Sequence, residues 1–307
     1  MKQRRCSVKQ MIKNIDRGIL FMLLASLSFA LMGGFAKVVS QTLPPVEVTF
    51  FRNIFGVVLV GLSIWKVPLK QTGGKPLLLL FRGSMGFAAL LAYFYIMAHI
   101  PLGEAVTYNK TSPIFVAIFA YLFLNEKLHK SALLAIVIGF VGIVLVAQPQ
   151  GGSFDKYDIL GIFSGIGAAL AYTSIRELRK YYDTRAIVMS FMGVGTVAPL
   201  FLMLITPYVT VSEDFDWMFA AFVMPRGVEW GYVTAVGIFA TMSQLLMTKA
   251  YELTKAGIVG TISYSNIVFA IIIGVMLGDP IPDIWTTLGI LLVILSGLLV
   301  ALPKGNR

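Results

Sequence analysis

Charge is scarce in this sequence. Only 13% of its 307 residues are Asp, Glu, Lys or Arg, against roughly 25% in soluble domains. A soluble fold of this length would leave much of the 57% apolar complement in water, which argues against a soluble enzyme of one or two domains. Cysteine is represented once, by Cys6, so an intramolecular disulfide and a cysteine metal cluster are both excluded. The two histidines, His99 and His129, are isolated, with no HExxH and no nucleotide-binding signature. Nothing therefore suggests a metal, a cofactor or a nucleotide-driven reaction.

What is present is apolar sequence in long runs. A membrane helix needs about 20 mostly apolar residues. Ten such stretches are expected at 18–38, 46–65, 77–98, 102–124, 131–148, 158–178, 186–206, 230–250, 256–277 and 283–302. Their continuity, with no alternation of period two, predicts an all-α integral membrane protein rather than a barrel. The first run is too long for a signal peptide, and no small-residue cleavage site follows it, so it is expected to be retained.

The formal charge of +10 raises nucleic acid as a partner in a soluble protein, but here its distribution matters more. Twenty of the 25 basic residues fall in the tail 1–17, the even-numbered connections and the C-terminus, among them Lys66, Lys75, Arg82, Arg179, Lys180 and Arg185. The other side holds Lys37, Lys156 and Arg226, with ten of the 15 acids. Basic loops stay in the cytoplasm, so both termini are expected there, in the cell (inner) membrane, with no nucleic acid partner. The one long connection, 207–229, contains an apolar run from Trp217 to Met224 too short to span. It is expected to lie on the outer surface, with a re-entrant or lid element as the alternative.

Residues 18–148 and 158–302 read as two copies of a five-helix unit. Ser112-Pro113-Ile114-Phe115-Val116-Ala117-Ile118 aligns with Ser265-Asn266-Ile267-Val268-Phe269-Ala270-Ile271 at an offset of 153, which also sets Glu126 on Asp279. Five is odd, so the second copy is inverted relative to the first, the arrangement of many secondary transporters.

Two basic residues belong to no connection: Arg52 in span two and Lys110 near the middle of span four. A charge at bilayer depth costs at least about 2.5–3.5 kcal/mol and normally faces protein or water. Arg52 has Glu47 or Glu104 within reach; Lys110 has no acid at its depth. Both are candidate contacts for an anionic substrate group. Around Lys110 lie Thr107, Asn109, Thr111 and Ser112, and Pro113 leaves the Asn109 carbonyl without its helical partner. Span nine answers with Thr261, Ser263, Tyr264 and Asn266. Tyr93, Tyr95, Tyr172 and Gln244 are further candidates for the same cavity. The bland alternative for the hydroxyls is packing between helices. Gly161-x-x-x-Gly165 fits a small-residue packing motif and leaves a homodimer possible.

Arg82-Gly83-x-x-Gly86, Tyr93-Phe94-Tyr95, Pro101-Leu102-x-x-Ala105, Ser112-Pro113-Ile114-Phe115 and Leu124-Asn125-Glu126-Lys127 resemble the third and fourth helices of EamA-type carriers in the drug/metabolite transporter superfamily. The second half departs from that pattern at Asn266 and Asp279, where proline and glutamate are common. The resemblance implies an alternating-access carrier of a small polar metabolite: amino acid-like, nucleoside- or vitamin-like, or a carboxylate. The alternatives are a channel and a non-transport membrane enzyme. The enzyme is disfavoured by the missing catalytic groups; the channel stays open, since a five-plus-five inverted repeat can also build one.

Overall fold

The computed structural model describes residues 2–69, 72–124, 130–148, 154–253, 259 and 262–301. Among these the chain is helical, with no strand. The first half holds α1 (Lys2–Val39), α2 (Pro45–Lys66), α3 (Pro76–His99), α4 (Leu102–Asn109), α5 (Ser112–Leu124) and α6 (Lys130–Ala147). The second holds α7 (Lys156–Leu178), α8 (Thr184–Ile205), α9 (Glu229–Leu253), α10 (Ser265–Met276) and α11 (Ile284–Ala301). The helix starts follow local chemistry. Pro45 and Pro76 open α2 and α3, where a missing N–H costs nothing. Asp155 and Asp158 form a reciprocal capping box at α7, and Asp183 caps α8.

Six of the helices are long and apolar enough to cross a membrane: Arg17–Val39, Pro45–Lys66, Pro76–His99, Lys156–Ile175, Thr184–Tyr208 and Glu229–Met247. Leu133–Ala147, Ser265–Met276 and Ile284–Leu299 are shorter apolar helices. Large apolar side chains project outward along them, including Trp65, Leu77, Val197, Leu245, Met276 and Ile284. Water would penalise such a surface and lipid does not. The chain is a multi-pass membrane protein.

The helices pair across the two halves. α1 lies along α9 and α3 along α7, while α2 packs on α8 and α6 on α11. α4 and α5 lean on α7, and α10 leans on α1. The main core, with Phe94, Leu102, Tyr108, Val236 and Ile267 among its buried members, runs through both halves.

One expectation is corrected here. Span four is not one helix: Lys110 and Thr111 form a turn between α4 and α5. Pro113 cannot donate to Asn109, so the ladder stops. Tight bonds take over, from Thr111 N to Tyr108 O at 3.1 Å and from Ile114 N to Thr111 O at 2.9 Å. Tyr264 forms a turn at the matching place before α10, where Asn266 stands instead of a proline and Ile267 N donates to Tyr264 O at 3.0 Å. Asn125, Glu126, Lys127 and Thr261 lie outside the described residues.

The connection 207–229 folds back onto one end of the bundle. Trp217, Met218 and Ala220 pack on the cluster formed by Val46, Phe87, Leu91 and Met203. The buried Glu47 carboxylate accepts the Val223 N–H at 3.0 Å. Asp216 accepts the Tyr95 hydroxyl at 2.9 Å and pairs with Lys156.

Candidate functional site

The two chain breaks touch. Tyr264, at the entry to α10, donates its hydroxyl to the Lys110 carbonyl at 3.4 Å. Two glycines of α7 make room for the first break: a Cβ on Gly161 would stand 2.6 Å from the Tyr108 ring, and one on Gly165 would stand 2.4 Å from Thr111 Oγ1. Gly297 on α11 does the same for the second, since a Cβ there would overlap the Tyr264 hydroxyl. The Gly161-x-x-x-Gly165 motif is thus occupied within the chain. At the centre of this contact stands the half-buried Lys110, whose ammonium has no hydrogen-bond or ion-pair partner among the described residues.

The polar neighbours of Lys110 divide by role. Thr107 and Thr111 are buried and donate to their own backbone, to Gly103 O at 2.7 Å and Tyr108 O at 2.6 Å. Asn266 donates to Ser26 O of α1 at 2.9 Å and holds α10 against it. These three groups are engaged in packing. Ser112 is buried at the first position of α5, and Asn109 ends α4, half-buried. Gln244 and Ser263 each have a bonding partner.

Tyr95 is engaged by connection 207–229. Besides its bond to Asp216 it stacks on His99 at 4.3 Å, and His99 stacks on Tyr157 at 5.2 Å. That layer is tied to connection 207–229, because a partner 121 residues distant captures the hydroxyl.

Arg52 corrects another expectation. It pairs with neither Glu47 nor Glu104; its Nη1 donates to Asn53 Oδ1 at 2.9 Å. Asn53 is itself fixed by bonds to Thr49 O and Gly195 O, across the contact of α2 with α8. The Arg52 guanidinium lies 5.5 Å from the Phe191 ring centre, and a second arginine lies 4.9 Å from the same ring. That second residue is Arg82, counted above as a loop charge. It is the seventh residue of α3, about 9 Å along the helix axis, and it is buried with 7% exposure. Gly86 permits the arrangement, since a Cβ there would sit 2.5 Å from Arg82 Nη1 and 2.8 Å from the Phe191 ring. The distance of Arg82 from the start of its helix was the overlooked signal; the charge tally took no account of depth.

Tyr172 is half-exposed on α7, seven residues from Gly165 and so on the same helix face. It lies within electrostatic range of both arginines. The candidates therefore form two basic centres, Lys110 at the breaks and Arg52 with Arg82 around Phe191, with Tyr172 between them along α7.

The EamA-like transporter family matches residues 16–148 and 155–302. The pseudopaline exporter CntI of Pseudomonas aeruginosa is 31% identical over 94% of this chain and 98% of its own length. An uncharacterized transporter of Helicobacter pylori is 35% identical over 93% of this chain and 95% of its own. A solved crystal structure shares the fold, with a TM-score of 0.55 at 17% identity over 92% of this chain and 95% of that one. With both halves matched and relatives of this identity spanning nearly all of it, the chain belongs to the EamA-like transporter family.

Proposed function

We propose that this transporter is a secondary carrier of ten spans, built as two inverted five-helix repeats, 18–148 and 158–302. It would move a small polar metabolite with an anionic group across the cell membrane by alternating access. The observation that carries the reading is the meeting of two interrupted spans at Tyr264 and Lys110. The turn at Lys110–Thr111 and the turn at Tyr264 fall at equivalent places under the 153-residue offset of the sequence repeat. Each break releases the N-terminus of a helix inside the bundle, α5 on one side and α10 on the other. Helix N-termini carry partial positive charge and favour anions, and broken spans at a repeat interface are where carriers bind substrate.

The cross-pairing of helices supports the repeat. α1 on α9 is answered by α3 on α7, and α2 and α6 each pair with their own counterparts, α8 and α11. The family match, falling separately on each half, supports it as well. The imbalance of basic residues supports cytoplasmic termini. The named pseudopaline exporter favours a metabolite as cargo.

Counterflow in proteoliposomes tests the reading. Purified protein is screened for ligand-induced thermal stabilisation against amino acids, nucleosides, vitamins and carboxylates, and the hits are used as labelled and unlabelled substrate. Saturable counterflow is expected, with Lys110→Gln reducing it at least tenfold. Flux that does not saturate makes the protein a channel. Unchanged transport by Lys110→Gln removes the lysine from the site.

A further inference from the structure

Arg52 and Arg82 are both more than nine-tenths buried, at 6% and 7% exposure. Neither forms an ion pair among the described residues, and the Nε of each has no hydrogen-bond partner. Arg52 has one bond, to Asn53; Arg82 has none to any described residue. A guanidinium presents five donors in a rigid fork and is normally buried only against a carboxylate or phosphate. The aromatic face of Phe191 offsets part of the burial cost of both cations, but it accepts none of their hydrogen bonds. Two full positive charges brought to one ring also repel each other. Among the described residues, the helices packed around them contribute no counter-charge at this point. α2 offers Asn53, α7 offers Tyr172, and α8 offers the Phe191 ring and the Gly195 carbonyl that holds Asn53.

We propose that Arg52 and Arg82 form a two-point site for a small soluble dianion, presenting either two carboxylates or one phosphate group to the paired guanidiniums. The proposal rests on the carrier reading for the origin of its ligand and narrows the substrate to compounds of charge −2 at one end. Bound there, each carboxylate or phosphate oxygen pair accepts a fork of N–H donors, satisfies the Nε atoms and removes the repulsion between the cations. Tyr172, half-exposed beside both arginines, supplies a hydroxyl on the path toward Lys110.

The test is binding to the purified full chain in uncharged detergent, followed by calorimetry and melting temperature. Succinate, 2-oxoglutarate and inorganic phosphate are compared with the monoanion lactate, and phosphatidylglycerol is the lipid-phosphate arm. At least one soluble dianion is expected to bind tenfold or more tightly than lactate. Arg52→Lys and Arg82→Lys keep the charge but lose the fork, and each should weaken binding at least tenfold. Arg82→Gln should abolish binding while its ligand-free protein melts no lower than wild type, because an uncompensated charge has been removed. The proposal is overturned if no soluble dianion outbinds lactate, or if only phosphatidylglycerol binds. It is also overturned if both lysine variants retain wild-type affinity. Counterflow is read separately. Dianion binding without counterflow keeps this site and removes the carrier reading; saturable counterflow with affinity untouched by the arginine variants does the reverse.

Discussion

Lys110 shows what a single charge does inside an apolar bundle. With no acid to meet it among the described residues, the ammonium weakens the empty protein, and an uncharged side chain in its place should not. Lys110→Met is therefore expected to melt at or above the wild-type temperature in detergent while losing counterflow, because it removes a partly desolvated charge and keeps an unbranched side chain of similar length. A drop of several degrees would instead make the lysine a packing residue. Lys110 and Arg52 were readable from sequence because a basic residue in an apolar run is conspicuous. Arg82 was not, since a charge near the end of a run looks like a loop charge until its distance from Pro76 is counted. Tyr95 and the hydroxyls of Thr107 and Thr111 looked like cavity groups because residue type says nothing about who has already claimed a hydroxyl.

At the scale of the element, the division of span four into α4 and α5 is the main addition to the sequence reading. A hydropathy window of about 20 residues averages over a two-residue turn, so the run 102–124 reads as continuous. Pro113 and the polar stretch from Thr107 to Ser112 marked the place without showing that the helix ends there. Pro113→Ala restores an N–H to the start of α5 and lets the two pieces join. Counterflow is expected to slow severalfold with little change in melting temperature; equal rates would show that the turn is held by tertiary packing alone. The neighbouring element sets a second test. A methyl group at Gly161 meets the buried Tyr108 ring, whose hydroxyl is held by Asp158 at 2.5 Å, so the ring has little freedom to retreat. Gly161→Ala should cost about 1–3 kcal/mol, in the range of overpacked cores, measured by denaturant unfolding. A loss below about 0.5 kcal/mol would mean that the helices separate easily there.

At the scale of the whole molecule, the two halves are tied at both ends. At one end Lys37 of α1 pairs with Asp279, which also accepts the Leu102 N–H at the start of α4. At the other, the connection between α2 and α3 meets the one between α7 and α8. Thr72 N and Gly73 N donate to Tyr181 O at 3.0 and 2.9 Å, and Lys75 pairs with Glu177 at 2.9 Å. The hydrogen bond to Glu177 is the main cause that raises the Lys75 ammonium above its usual 10.5. A raised value means the folded form holds its proton longer, so the contribution of this tie is complete below pH 10.5 and fades as pH climbs through the raised value. Titration of carbon-13-methylated lysines by NMR should place Lys75 above 10.5 in wild type and return it to the ordinary value in Glu177→Gln. Identical titration in the two proteins would dissolve the tie. None of these connections was readable beforehand. Their partners lie from 102 to 242 residues apart, whereas periodicity and local charge report only on near neighbours.

The pairing of α6 with α11 has a practical consequence for following motion in this transporter. Gly142 faces the Gly289 carbonyl and Gly289 faces the Gly142 carbonyl, each so close that an added Cβ would stand 2.9 and 2.7 Å away. Ser296 adds a hydrogen bond to Ala135 O at 2.6 Å, and Gln148 reaches Asp283 and Thr286 at 2.9 Å. At these glycines main chain rests on main chain, with only the short, branched side chains of Val146 and Val293 packed beside it. Spin labels on the outward faces of these two helices would therefore keep a constant separation while labels across the Lys110 and Tyr264 breaks change theirs. The pair is a built-in ruler against which any movement at the breaks can be calibrated.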